Sequence, residues 1–266
     1  MVGPAADRGS DRGAAGRLFV GTSGFSYPAW APRFYPPGLP ASGYLRVYAE
    51  RLSACELNST FYRHPTEGTV AGWLAATPET FRFTVKAQRG GSLQALLRDA
   101  SVAAGWLSQP YRAFRERLGS VLFRVPDGVP RDDDRLAALL GAWPDDLPLT
   151  VEAQDPSWAV DETFAALARA GAAWCSTDRD DAEPPPIRAL TGWLYLRLRR
   201  ASYGTAELAA WADRLIPFID AGQDAYVFFR HDADGTSAIR ATGFATLVAD
   251  RRAEQDRVAR RARAAG

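Results

Sequence analysis

Eight short runs dominated by β-branched, aromatic and leucine residues recur along the chain, with longer alanine- and leucine-rich stretches between them. The runs are 18–24 (LFVGTSG), 54–60 (ACELNST), 81–87 (FRFTVKA), 120–126 (SVLFRVP), 149–154 (LTVEAQ), 172–178 (AAWCSTD), 192–200 (GWLYLRLRR) and 224–232 (DAYVFFRHD). Helices are predicted over 41–53, 66–76, 92–118 with an irregular middle, 132–142, 161–170, 205–219 and 236–262. Apolar runs of strand length alternating with helix-length segments indicate a parallel α/β architecture. Eight strands in about 250 residues suit a closed barrel better than an open doubly wound sheet. GTSGFSY after the first run also lacks the glycine spacing of a dinucleotide-binding loop. The expected fold is therefore α/β, a single (β/α)8 TIM-type barrel over 17–249. Residues 1–16, rich in Gly, Ala and charge, are expected to form a disordered leader, and 250–266 the end of the last helix and a basic tail.

Composition narrows the function classes. No apolar run approaches the length needed to cross a bilayer, so no membrane partner is expected. Thirty-two basic against thirty-one acidic residues leave no whole-molecule field to draw the chain onto nucleic acid or acidic lipid, so any electrostatic preference must be local. Cys55 and Cys175 each lie in an apolar run and read as small core residues, which fits a cytoplasmic protein. With only His64 and His231 present, a multi-histidine metal site is impossible, and neither metal nor cofactor is expected.

Side chains alternate between the two faces of a strand, and barrel active sites gather at the strands' C-terminal ends. Leu194, Leu196 and Leu198 suit the helix-facing side of the seventh run, which turns Trp193, Tyr195, Arg197 and Arg199 inward. The same alternation places Glu56 and Asn58, Thr84 and Lys86, Arg124, Glu152 and Gln154, Ser176 and Asp178, and Arg230 at the mouth. Glu56, Glu152 and Asp178 are the candidate catalytic acids. Lys86, Arg124, Arg197, Arg199 and Arg230, with Asn58, Tyr27 and Tyr62, are the candidate ligand-binding groups. Guanidinium forks converging from several strands suit phosphate or carboxylate; alternatively, Arg124 and Arg197 complete salt bridges to the three acids. The turn at Gly21, Ser23 and Gly24 could offer backbone N–H groups to an anion or simply permit close packing. The aromatics Phe25, Tyr27, Trp30, Phe34, Tyr35, Phe61, Tyr62 and Trp158 crowd the loops on the same face; many are expected to pack the long first loop as a small core of its own, and the remainder could stack on a planar or sugar-like ligand.

The segments GTSGFSYPAWAPRFYPPGLP, CELNSTFYRHPT, FRFTVKAQR, VLFRVP, DPSW, Asp178, YLRL and YVFFRHD resemble, in this order, the successive strand ends of the YecE-like family, domain of unknown function 72. The resemblance runs from about Leu18 to Ala249 and implies a TIM-type barrel, but no settled activity. The chain departs from that family's pattern in a consistent direction. EAQDPSW stands where EFRHPSW is common, Arg199 and Arg200 replace His-Gly, Arg230 and His231 replace Asn-Asn, and Arg124 replaces Gln. A threonine-histidine segment common after the third strand is missing from QRGGSLQAL. Imidazoles are lost and arginines gained.

The expected function is enzymatic turnover, without metal, of a small phosphate- or carboxylate-bearing substrate. Lys86, Arg197 and Arg199 would hold its anion, with Glu56 or Glu152 as general acid or base. Two alternatives are carried: nucleic-acid binding or repair, since related barrels include endonucleases, and a non-catalytic small-molecule binder.

Overall fold

The computed structural model describes residues 14–180 and 182–265, without the side chains of 263–265. Most of the expected leader lies outside the described residues. Its last residue, Gly16, is buried and donates its N–H to the Ile219 carbonyl at 2.7 Å.

Eight strands form one parallel sheet: β1 (Leu18–Thr22), β2 (Ala54–Leu57), β3 (Arg82–Lys86), β4 (Leu118–Arg124), β5 (Leu149–Glu152), β6 (Ala173–Asp178), β7 (Trp193–Leu198) and β8 (Asp224–Phe229). Their order in space is β1-β8-β7-β6-β5-β4-β3-β2, so the chain winds once round a barrel. β1 and β2 meet at a seam that closes through a bridge between Ser23 and Glu56 and the hydrogen bonds beside it. There the Ser53 N–H donates to the Val20 carbonyl at 3.1 Å and the Gly24 N–H to the Glu56 carbonyl at 2.7 Å. Gly21 makes the approach possible, because a Cβ at that position would fall 1.9 Å from the Ala54 carbonyl oxygen.

The helices α1 (Tyr44–Ala49), α2 (Glu67–Ala75), α3 (Arg89–Leu97), α4 (Ala100–Ser108), α5 (Asp133–Ala142), α6 (Asp161–Arg169), α7 (Thr205–Asp220) and α8 (Thr236–Ala265) surround the sheet. The irregular middle expected within 92–118 is real. Asp99 leaves helical geometry and its carboxylate accepts the Val102 N–H at 3.2 Å, which caps a new helix and separates α3 from α4. A 3-10 segment, Gln109–Arg117, then leads into β4. Two helices thus join β3 to β4, whereas no described residue between β6 and β7 is helical.

Two apolar layers hold these elements. The inner one, within the barrel, contains Phe19, Ala54, Leu122, Cys175, Tyr195, Tyr226 and Phe228, with Phe19 stacked on Tyr226. The outer one lies between sheet and helices and takes in Cys55, Leu194, Leu196 and Leu198. It extends over the first loop, where Trp30, Phe34 and Tyr35 are buried and Tyr35 stacks on Tyr44 at 4.4 Å. Both cysteines are buried free thiols, and burial pushes each well above its ordinary pKa. Among the described residues, no helix is long and apolar enough to cross a membrane.

Candidate functional site

Above the inner apolar layer the barrel turns polar, and Arg197 of β7 stands at its centre. Its Nη1 donates to both oxygens of Glu152, at 2.9 and 2.8 Å, and its Nη2 to Glu56 Oε1 at 2.8 Å. All three side chains are almost wholly shielded from water. The remaining acceptor capacity of the acids is filled from neighbouring strands. The Ser23 hydroxyl donates to Glu56 Oε1 at 2.7 Å, Tyr195 OH to Glu56 Oε2 at 2.8 Å, and Thr177 Oγ1 to Glu152 Oε1 at 2.7 Å. Thr84 Oγ1 lies 2.9 Å from the Tyr195 hydroxyl and extends the chain of donors to β3.

Burial alone would raise both carboxyls, because the anion loses its hydration. For Glu56 this is outweighed by Arg197, the Ser23 hydroxyl, Arg199 and Tyr195, and its pKa falls below the ordinary value. For Glu152 it is outweighed by Arg197, Thr177 and Arg124, and the pKa drops to about 2. Both acids are therefore ionised throughout the physiological range and are poor reservoirs of an exchangeable proton. Their oxygens are committed to orienting Arg197.

The other predicted cations divide into two kinds. Arg124 and Arg230 are answered by acids of the rim: Arg124 Nη2 lies 2.7 Å from Asp127 and Arg230 Nη1 lies 3.8 Å from Asp180. Lys86 and Arg199 are different. Neither side chain has an acid within salt-bridge distance or a hydrogen-bond acceptor among the described residues. Lys86 is only 8% exposed, with its Nζ 4.0 Å from the centre of the Phe61 ring. Burial lowers its pKa to about 8, helped by Arg197 and Arg124 and opposed by Glu56 and Glu152. Burial and Arg197 likewise lower the pKa of Arg199.

Around this centre, Asn58 is half-buried at the end of β2 and Tyr62 stands 78% exposed beyond it. Tyr27 is half-buried, donates to the Ser23 carbonyl at 3.0 Å and stacks on His231 at 5.1 Å between ring centres. Gly24 adopts φ +89° beneath Tyr27, where a Cβ would fall 2.5 Å from the tyrosine hydroxyl. His64 lies to one side, packed against Trp106 at 4.4 Å.

Three expectations need correction. Asp178 does not face the mouth. Its carboxylate accepts from Arg200 Nε at 2.9 Å, Tyr203 OH at 2.8 Å and Trp211 Nε1 at 3.2 Å, all on the helix-facing side. Ser176 shares that face and donates to the Pro186 carbonyl, so the inward residues of β6 are Cys175 and Thr177, level with Tyr195 and Arg197. The Ser23 and Gly24 amides are unavailable to an anion, since they donate to the Phe229 and Glu56 carbonyls and help close the barrel. The salt-bridge alternative holds for Arg197, whose two terminal nitrogens both bind acids, Nη1 to Glu152 and Nη2 to Glu56. Among the described residues no group of three or more His, Cys, Asp or Glu is suited to a metal.

One signal in the chain was passed over. Lys86 is the only lysine of the 266 residues; every other basic side chain, histidine apart, is an arginine.

A single parallel (β/α)8 barrel is the class that the fold defines. The family model described as "Protein of unknown function DUF72" matches residues 19–264. The chain belongs to this family. UPF0759 protein YunF of Bacillus subtilis (strain 168) is 26% identical over 153 residues, covering 53% of this chain. That alignment spans 52% of the relative's own length, about half of it. A DUF72 family protein from Thermotoga maritima, of known structure, superposes with a TM-score of 0.77 at 25% identity, over 87% of this chain and 99% of that one. Another, from Enterococcus faecalis, reaches 0.69 at 18% identity over 88% and 98%, and likewise shows the fold.

Proposed function

We propose that the chain is an enzyme that binds a small phosphate- or carboxylate-bearing substrate at the C-terminal mouth, through Lys86 and Arg199, with Arg124 and Arg230 at the rim. One observation carries this reading: among the described residues Lys86, buried, and Arg199, half-buried, have no acid within salt-bridge distance, while both inward acids bind Arg197. Holding an unpaired charge out of water costs several kcal/mol, and an incoming anion offsets that cost. Arg197, fixed by two carboxylates, acts as a rigid base plate for the site, and Glu56 and Glu152 are its positioning groups. We place this activity in the cytoplasm, where two unbridged cysteines are at home.

Titration with inorganic phosphate, followed by thermal unfolding and calorimetry, tests the proposal. Saturable stabilisation is expected in the wild type, with affinity reduced at least about tenfold, or about 1.4 kcal/mol, in Arg199→Ala. Equal stabilisation of both proteins, or none in either, overturns it. Binding without turnover of any phosphorylated or carboxylated metabolite would favour the non-catalytic binder.

A second reading, single-stranded nucleic acid lying across the same mouth, is supported by the Tyr62 ring exposed beside it. It requires affinity to fall steeply with salt, by about 0.7 logarithmic units per phosphate contact for each tenfold rise in salt. A flat response rejects it.

A further inference from the structure

The geometry points to Lys86 as a covalent catalytic residue, a nucleophilic amine that forms an imine with a small aldehyde or ketone bearing the anionic group. This inference rests on the anion site proposed above and names its substrate class.

Where positive charge is wanted at the surface, at salt bridges or within the barrel, this protein uses arginine, and it does so at every basic position but one, histidines aside. The exception is an inward residue of β3 beside Arg124 and Arg197, and Arg199 lies by the same Arg197, Glu56 and Glu152. An arginine at this position would strengthen the hold on an anion, through a planar fork in place of a point charge. Lysine alone adds the ability to shed a proton near neutral pH and attack an electrophile.

The surroundings favour that chemistry. The amine sits over the Phe61 ring, largely out of water and, among the described residues, with no carboxylate within salt-bridge distance. The charged groups around it are Arg197 and Arg124, which favour loss of its proton, and Glu56 and Glu152, which oppose it but are each shared with Arg197. An amine desolvated beside other cations is a recognised way to obtain a neutral nucleophile at physiological pH. Arg199, without an acid partner, remains to hold the carboxylate or phosphate of the same substrate.

The step balances without a further reagent. The ammonium first releases a proton to water. The nitrogen lone pair then forms the C–N bond to the carbonyl carbon as the C=O π pair moves to oxygen, and a proton passes from that nitrogen to the oxygen to give a carbinolamine. Protonation of that hydroxyl and breaking of the C–O bond expel water and leave a protonated imine. The sum is ammonium plus carbonyl going to iminium plus water, and the cationic nitrogen can then accept electrons from a bond at the neighbouring carbon.

The test uses the full chain, with glyoxylate as anionic aldehyde, acetaldehyde as its neutral counterpart, and cyanoborohydride to trap imines at pH 7. Lys86 carries the only side-chain amine, so peptide mass spectrometry distinguishes it from the chain's α-amino group. That group, with an ordinary pKa near 8, is an internal reference of similar basicity. Glyoxylate should label Lys86 at least about tenfold faster than the α-amino group, acetaldehyde should show no such preference, and phosphate should compete. Lys86→Arg should abolish the Lys86 adduct. If glyoxylate labels Lys86 no faster than the α-amino group, amine catalysis is overturned; phosphate stabilisation in the same samples then shows whether the anion site itself survives.

Discussion

Replacing Arg197 with methionine tests the central ion cluster most directly. The substitution roughly preserves volume but leaves Glu56 and Glu152, both shielded from water, without the cation between them. Removing one member of a buried ionic group costs about 3–5 kcal/mol, because the partners stay buried and uncompensated. The acids themselves give a similar figure. The fall of the Glu152 carboxyl from an ordinary 4.5 to about 2 corresponds to about 3 kcal/mol in favour of the ionised native state. The sign follows from that direction. A depressed carboxyl stabilises the native protein above about pH 4.5, and the wild type loses this contribution as pH falls toward 2. In Arg197→Met the carboxyls shift upward instead, so their stabilising contribution is present at low pH and lost as pH rises. Urea unfolding at pH 7 and pH 5 should therefore show a deficit of about 3–5 kcal/mol that narrows at the lower pH. A deficit below about 1 kcal/mol, identical at both pH values, would refute the reasoning. Should the variant not fold, Glu152→Gln carries the test: it keeps Arg197 paired with Glu56 and should blunt the acid-side loss of stability.

Further outcomes follow from the same geometry. Lys86→Met should raise stability at pH 7 by about 1–2 kcal/mol, a figure discounted for the amine's residual access to water. Because a native amine titrating near 8 binds fewer protons than its unfolded form, whose value is near 10.5, the wild type should close that gap as pH rises from 8 to 10, measurable by denaturant titration. Asp178→Asn should cost about 1–3 kcal/mol through the bonds to Arg200, Tyr203 and Trp211, and leave phosphate affinity within about twofold. Gly24→Ala should cost about 1–3 kcal/mol in thermal or denaturant unfolding, since it places a Cβ at positive φ and against the Tyr27 hydroxyl.

The strands were readable because each is an apolar run of the right length, and β7 gave its orientation away. Leucine at 194, 196 and 198 marks a uniform greasy face, so the inward set of Tyr195 and Arg197 followed. β6 carries no such mark. AAWCSTD has small or polar residues on both faces, and its outward Asp178 is satisfied by Tyr203 and Trp211, donors 25 and 33 residues further on that only the folded chain brings near. The partners of Arg197 were equally hidden. Glu56, Glu152 and Arg197 come from strands that are not neighbours, and their meeting depends on the stagger of the whole barrel. The lone lysine, by contrast, was visible in the composition and needed only the question of why arginine had not replaced it there as well.

The seam between β1 and β2 has a mechanical side. Ser23 lies in the bridge that helps close the barrel, and its hydroxyl also supports the carboxylate that steadies Arg197. Any breathing of that joint loosens a support of the ion cluster, and any rearrangement of the cluster pulls on the joint. Amide exchange at Gly24, whose N–H spans the seam to Glu56, therefore reports on the charged centre without a probe placed inside it.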